Sequence, residues 1–116
     1  MAKILNTKTV SDFKLIQHRL ALLGRMRVPT NAVRGSYVRQ FLTCGKKNCR
    51  CQQGMKHGPF NYLVQCLGVG SVRKFLLKTA AQREQARVGI AAYASFQAQL
   101  EELSQINAEL LKRSQR

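Results

Sequence analysis

The chain has 116 residues and a formal net charge of +15, with 20 Lys and Arg against 5 Asp and Glu. That length allows one small domain, 1–116. No apolar run approaches the roughly 18–20 residues needed to cross a bilayer, and the opening MAKILNTKTV has no apolar stretch of a secretory signal. A cytoplasmic, non-membrane protein with reduced cysteines is therefore expected. Between Asp12 and Glu84 stand fourteen Lys and Arg and no carboxylate. This speaks against two-metal nuclease or transposase chemistry, which needs several Asp or Glu to hold Mg²⁺, and no enzymatic activity is expected.

Three zones follow in chain order: a helix and basic loop over 1–34, a β-meander over 35–78, and a long helix over 79–116. Apolar Val10, Phe13, Ile16, Leu20 and Leu23 recur at helical spacing. They predict a first helix over 9–25, capped by Thr9 or Ser11. His18 reads as a surface residue of that helix. RMRVPTNAVRGS, with Pro29, Asn31 and Gly35, is a basic loop. GSYVRQFLT predicts a strand over 35–43, FNYLVQCL a second over 60–67 and VRKFLL a third over 72–77, the last two joined by the hairpin signal Gly-Val-Gly-Ser. Cys66, inside an apolar run, reads as a small buried hydrophobe. The third zone is rich in Ala, Gln, Glu, Arg and Leu, all helix formers, and predicts a helix over 80–112. The fold class is α+β: N-terminal helix, three-stranded antiparallel sheet with a zinc-binding loop between strands 1 and 2, long C-terminal helix.

Within the long helix, Tyr93, Phe96, Leu100, Leu103, Asn107 and Leu110 alternate steps of three and four. Asn107 takes an a-type position, where a buried Asn can fix register and oligomer state. The stripe serves either a homodimer or packing on the chain's own first helix.

The strongest chemical signal is Cys44-x4-Cys49-x-Cys51-x5-His57. Thiolate and imidazole are the preferred donors for Zn²⁺, and four of them suit a closed tetrahedral site. One structural Zn²⁺ held by Cys44, Cys49, Cys51 and His57 is the expectation. The alternatives are free thiols in a basic loop, a redox pair or a soft metal such as Cu(I).

The charge is polarised. Residues 1–56 carry twelve Lys and Arg against one Asp, whereas 79–116 carry five against four Glu. Such asymmetry suits a face aimed at a polyanion. The candidate nucleic-acid contacts are Arg25, Arg27 and Arg34 in the loop before the sheet, Arg39, Arg73 and Lys74 on strands, and Lys46, Lys47, Arg50 and Lys56 around the cysteines. Tyr37, Phe60 and Tyr62 are interleaved with them and either stack on unpaired bases or fill the core between sheet and helix.

The stretch RGSYVRQFLTCGKKNCRCQQGMKHGPFNYL resembles a family of small, uncharacterised bacterial proteins. Its pattern is a Gly-Ser strand, then Cys-Gly-Lys-x-x-Cys-x-Cys, then Gly and His-Gly-Pro-aromatic. The matching positions are Gly35, Ser36, Cys44, Gly45, Lys46, Cys49, Cys51, Gly54, His57, Gly58, Pro59 and Tyr62, with Phe60 as the aromatic. The resemblance implies no activity. It implies a setting near transposases and recombinases, and hence a mobile element or phage. In element order the meander plus helix is also similar to the arm-binding domains of integrases, which lay a three-stranded sheet in the DNA major groove. That analogy places Arg39, Arg73 and Lys74 at the groove. Taken together, a DNA-binding accessory factor with a recombinase or transposase as partner is expected. The alternatives are an RNA-binding subunit and an assembly module for an acidic protein.

Overall fold

The computed structural model describes residues 7–46, 48–54 and 56–115; the side chains of Cys51 and Gln52 lie outside that description. Its elements are α1 (Asp12–Arg25), β1 (Ser36–Leu42), β2 (His57–Gly68), β3 (Ser71–Leu76) and α2 (Ala80–Arg113), with short 3-10 turns at Thr7–Thr9 and Arg50–Gln53. This is the expected α+β order. The strands form one antiparallel sheet in the order β1-β2-β3. Residues group into two compact units. One is Val33–Ile90; the other joins the chain before it to the chain after it, so α2 contributes to both.

Caps set where the helices begin. The Ser11 hydroxyl accepts from the backbone N–H of Lys14 at 3.3 Å, satisfying a donor the first turn leaves open. Before α2, Thr79 and Gln82 form a reciprocal pair. The Thr79 hydroxyl accepts from Gln82 N–H at 3.0 Å, and the Gln82 side-chain oxygen accepts from Thr79 N–H at 3.3 Å.

The helical unit is held by Leu15, Leu22 and Ile106, with Val10, Met26, Leu103 and Leu110 packed around them. The helix predicted from the spacing of Val10, Phe13, Ile16, Leu20 and Leu23 forms, but of these five only Val10 packs on this core. Phe13, Ile16, Leu20 and Leu23 are 69, 40, 64 and 46% exposed, while Leu15 and Leu22 are buried. At 3.6 residues per turn the two stripes lie rather more than a third of a turn apart. Both are periodic, and only the partner helix decides between them. On α2, Leu103 and Leu110 of the predicted stripe pack toward α1, Tyr93 and Phe96 are half-buried, and Leu100 is exposed. Asn107 is not buried: it is exposed and accepts from the Arg19 guanidinium at 3.0 Å.

At the end of α2, Arg113 donates to the carboxylates of Asp12 and Glu109 and to the Thr7 carbonyl. Its hydrogen bond to Asp12 does most to raise the Arg113 pKa above the ordinary arginine value, with desolvation opposing and Glu109 assisting. This group of charges ties the segment before α1 to the last turn of α2.

The unit Val33–Ile90 has a second, smaller core of Leu63, Leu77 and Ala86, flanked by Val33, Tyr37 and Ile90. Strand residues alternate between faces. Tyr37 pairs with Leu63, and Leu63 with Phe75, so these three share a face. Leu63 and Tyr37 pack with Ala86 and Ile90, so α2 covers this face. Val38, Tyr62 and Leu76 share the other face by the same register. The loop before the sheet is tied to α2 where Val33 N–H donates to the Gly89 carbonyl at 3.0 Å. Gly35 stands where a Cβ would lie 2.8 Å from the Val64 carbonyl oxygen. Only glycine allows β1 to enter so close to β2.

Candidate functional site

The loop that leaves β1 turns back sharply enough to bring Cys44, Cys49 and His57 together. Cys49 N–H donates to the Lys46 carbonyl at 3.3 Å, closing a turn, and the 3-10 turn Arg50–Gln53 follows. The two Sγ atoms and an imidazole nitrogen all lie within 4.8 Å of one another, and Cys49 Sγ is 2.9 Å from His57 Nε2. Zinc–sulfur and zinc–nitrogen bonds of about 2.3 and 2.0 Å put tetrahedral donors roughly 3.5–3.8 Å apart. The trio therefore forms a cluster that can hold a metal ion, with Cys44 and Cys49 half-buried and His57 exposed. The expected fourth donor, the Cys51 side chain, lies outside the described residues.

His57 is aimed by a β-bulge. Gln40 pairs with Phe60 but Leu42 pairs with His57, so Phe41 on β1 is opposed by two residues, Gly58 and Pro59, on β2. The extra residue puts His57 on the same sheet face as Phe60 and Tyr62, where a regular ladder would send it to the opposite face. Pro59 suits a bulge because it has no N–H to give the ladder. Gly58 has φ +131°, and a Cβ there would lie 2.8 Å from the Gln40 carbonyl oxygen. The Gly-Pro pair after the histidine is thus the device that orients it.

The basic residues fall into separate groups. Arg25 ends α1, and Arg27 donates to the carbonyls of Gly24 and Met26; both belong to the helical unit. Arg34, Arg39, Lys46, Arg50, Lys56, Arg73 and Lys74 belong to the sheet unit; all seven are exposed. Lys47 lies outside the described residues. Arg34 donates to the Cys66 carbonyl at 2.7 Å and bridges the loop to β2. Arg39, Arg73 and Lys74 do not form one groove-facing set. Arg73 pairs with Gln65 and Lys74 with Val64, so they lie on opposite faces. Arg39, opposite Asn61, shares the face of Arg73. Lys74 reaches Gln40 Oε1 at 2.8 Å and sits 4.3 Å over the Tyr62 ring.

Tyr37 fills the small core, as one of its two readings had it. Phe60 and Tyr62 are half-buried. Cys66 is corrected: it is exposed, beside the second irregularity of β2 where Cys66 pairs with Val72 and Gly68 with Ser71. His18 is exposed on α1. Sequence reasoning missed Arg83 and Arg87, which stand four residues apart at the start of α2 and line a cleft with Tyr37, Arg39, Pro59 and Asn61. The available signal was their i, i+4 spacing, which puts two cations on one helix face. It was hidden by averaging charge over the whole helix, whose four Glu equal its four Lys and Arg in number.

Among the described residues no helix is long and apolar enough to cross a membrane. A family model described as a domain of unknown function (DUF6788) matches residues 13–74, from the first turn of α1 into β3. No curated protein and no solved structure matches the chain.

Proposed function

The chain belongs to the DUF6788 family, a family of unknown function, and from that premise we propose that it is a non-catalytic, zinc-stabilised DNA-binding protein. The carrying observation is the charge of one unit. Residues 33–90 hold eleven Lys and Arg against a single carboxylate, Glu84, and the same unit holds the Cys44–Cys49–His57 cluster. In this reading Zn²⁺, with Cys51 as its fourth ligand, organises the 43–56 loop so that Lys46, Lys47, Arg50 and Lys56 meet phosphates. Thiolate and imidazole donors favour zinc over hard cations such as Mg²⁺. A role beside a recombinase or transposase of a mobile element rests on the gene setting that the sequence resemblance implies. Arg34 is partly spent on the Cys66 carbonyl, whereas the loop cations stand exposed.

The test is fluorescence anisotropy of a DNA duplex across a salt series, with intact and metal-stripped protein. Affinity should fall steeply with salt. The double substitution Lys46→Glu with Arg50→Glu should flatten the slope by about 0.9 for each phosphate that the variant no longer neutralises. Chelation should weaken binding together with the loop's structure. A salt-independent affinity, or full binding by metal-free protein, overturns the reading. An RNA of the same sequence binding far more tightly than the DNA would move the assignment to RNA.

A further inference from the structure

On the α2-covered face of the sheet, between the bulge and the first turns of α2, lies a cleft of about 360 Å³ lined by Tyr37, Arg39, Pro59, Asn61, Arg83 and Arg87. Three guanidinium groups, a phenol hydroxyl and a side-chain amide border one small recess. All lie within the Val33–Ile90 unit. The Arg87 guanidinium lies 4.6 Å from the centre of the Tyr37 ring and donates to the Tyr37 hydroxyl at 3.2 Å. Tyr37 is itself packed against the small core, so its ring fixes where Arg87 points. Arg83 is half-buried and reaches the Leu77 and Lys78 carbonyls only at 3.5 and 3.4 Å. Arg39 stands opposite Asn61 across the β1–β2 pair, which places both at one level of the sheet. The single carboxylate of this unit, Glu84, is 3.9 Å from Arg87, and both partners are more than half exposed. Such a pair contributes little in water, and it leaves the cleft with a large positive excess.

We infer that this cleft binds a terminal phosphate monoester of a nucleic-acid strand; the inference rests on the nucleic-acid reading and names a subsite within it. A guanidinium presents parallel N–H donors that match phosphate oxygens two at a time. A diester carries one negative charge, whereas a terminal monoester carries about −1.5 to −2 near neutral pH and offers three charged oxygens. Three arginines around one recess match the monoester in charge and in donor count. A flat row of phosphates along a duplex needs no recess and is served by the exposed loop cations. The volume also leaves room for the adjoining sugar beside Pro59 and Asn61. Arg83 and Arg87 fall outside the stretch matched by the family model, so the subsite is read from this chain's own geometry.

The experiment compares one single-stranded oligonucleotide with a phosphate at its 5′ end, at its 3′ end or at neither, by anisotropy with the full chain. A phosphorylated end should bind about tenfold more tightly, the size of one or two charge-assisted hydrogen bonds. That preference should shrink to within about twofold in Arg87→Gln and in Arg39→Gln. In Arg87→Gln the affinity for the unphosphorylated strand should stay within about threefold, since the loop cations remain. Arg39→Gln guards against loss of folding, because Arg39 is an exposed strand residue. Equal binding of all three oligonucleotides overturns the subsite and leaves the DNA-binding reading standing. If neither these oligonucleotides nor the DNA duplex binds, the DNA-binding reading fails instead. Thymidine 5′-monophosphate then decides the cleft by titration. Shifted Tyr37 resonances that are lost in Arg87→Gln keep the site, and unshifted ones overturn it.

Discussion

The two units of this chain solve the problem of small size in different ways. The helical unit is ordinary: Leu15, Leu22 and Ile106 are fully covered, and its nine Lys and Arg face four acids, two of them engaged by Arg113. The sheet unit buries only Leu63, Leu77 and Ala86 among its described hydrophobic side chains and carries eleven cations against one acid. Self-repulsion of that kind destabilises a compact state, and small domains with thin cores usually need a metal or another cross-link. The cluster of Cys44, Cys49 and His57 thus sits in the unit with most need of it.

That contrast can be broken by substitutions on either side. The largest effect is expected from Cys49→Ser. A structural zinc contributes on the order of 10 kcal/mol to the fold it organises. The variant should purify with well under one equivalent of zinc by elemental analysis, and the 43–56 loop should become the fastest segment in amide exchange. The α1–α2 amides should stay protected. Full zinc content in Cys49→Ser would remove Cys49 from the ligand set. Next is Ile106→Ala, which opens a cavity in the helical core and should cost about 2–5 kcal/mol in urea unfolding, with zinc content unchanged. A loss of zinc in that variant would show that the two units do not stand apart energetically. Gly58→Ala places a Cβ against backbone at a φ that side chains rarely adopt. It should cost about 1–3 kcal/mol and lower zinc affinity with it, because His57 is aimed by the same bulge. The smallest effect is Ser11→Ala, about 1 kcal/mol from the lost helix cap, confined to the helical unit and without effect on DNA binding.

The elements themselves were legible within a few residues, because punctuation in the chain is strong: the hairpin at Gly68–Gly70, the Gly58-Pro59 break and the Ser11 cap each act locally. Faces were harder. Phe13, Ile16, Leu20 and Leu23 repeat as regularly as Leu15, Leu22 and Met26, and periodicity cannot rank two stripes on one helix. Asn107, on the heptad phase, is exposed in the single chain and accepts from Arg19 across the helix pair. The cysteine–histidine spacing pointed correctly to a cluster because metal ligands lie close in sequence within a short loop. The arginine cleft was not legible, since Arg39 and Arg87 meet only through strand register and the placement of α2. Likewise Arg73 and Lys74, neighbours in sequence, part company because a strand sends adjacent side chains to opposite faces.

The bulge at Gly58-Pro59 also sets rules for how this protein can vary. The cysteine loop closes on itself, and lengthening a loop costs little: each doubling adds roughly 0.6 kcal/mol. A variant of this chain with one residue added between Cys44 and Cys49 should therefore lose little stability through loop closure. The four residues 57–60 have no such freedom. They behave as a parity counter, in which one deletion carries the histidine through the sheet to its far side and shifts Pro59 out of the wall of the arginine cleft. One short tetrapeptide thus keeps the reading frame of two sites at once, and chain length here is as much a part of the chemistry as side-chain identity.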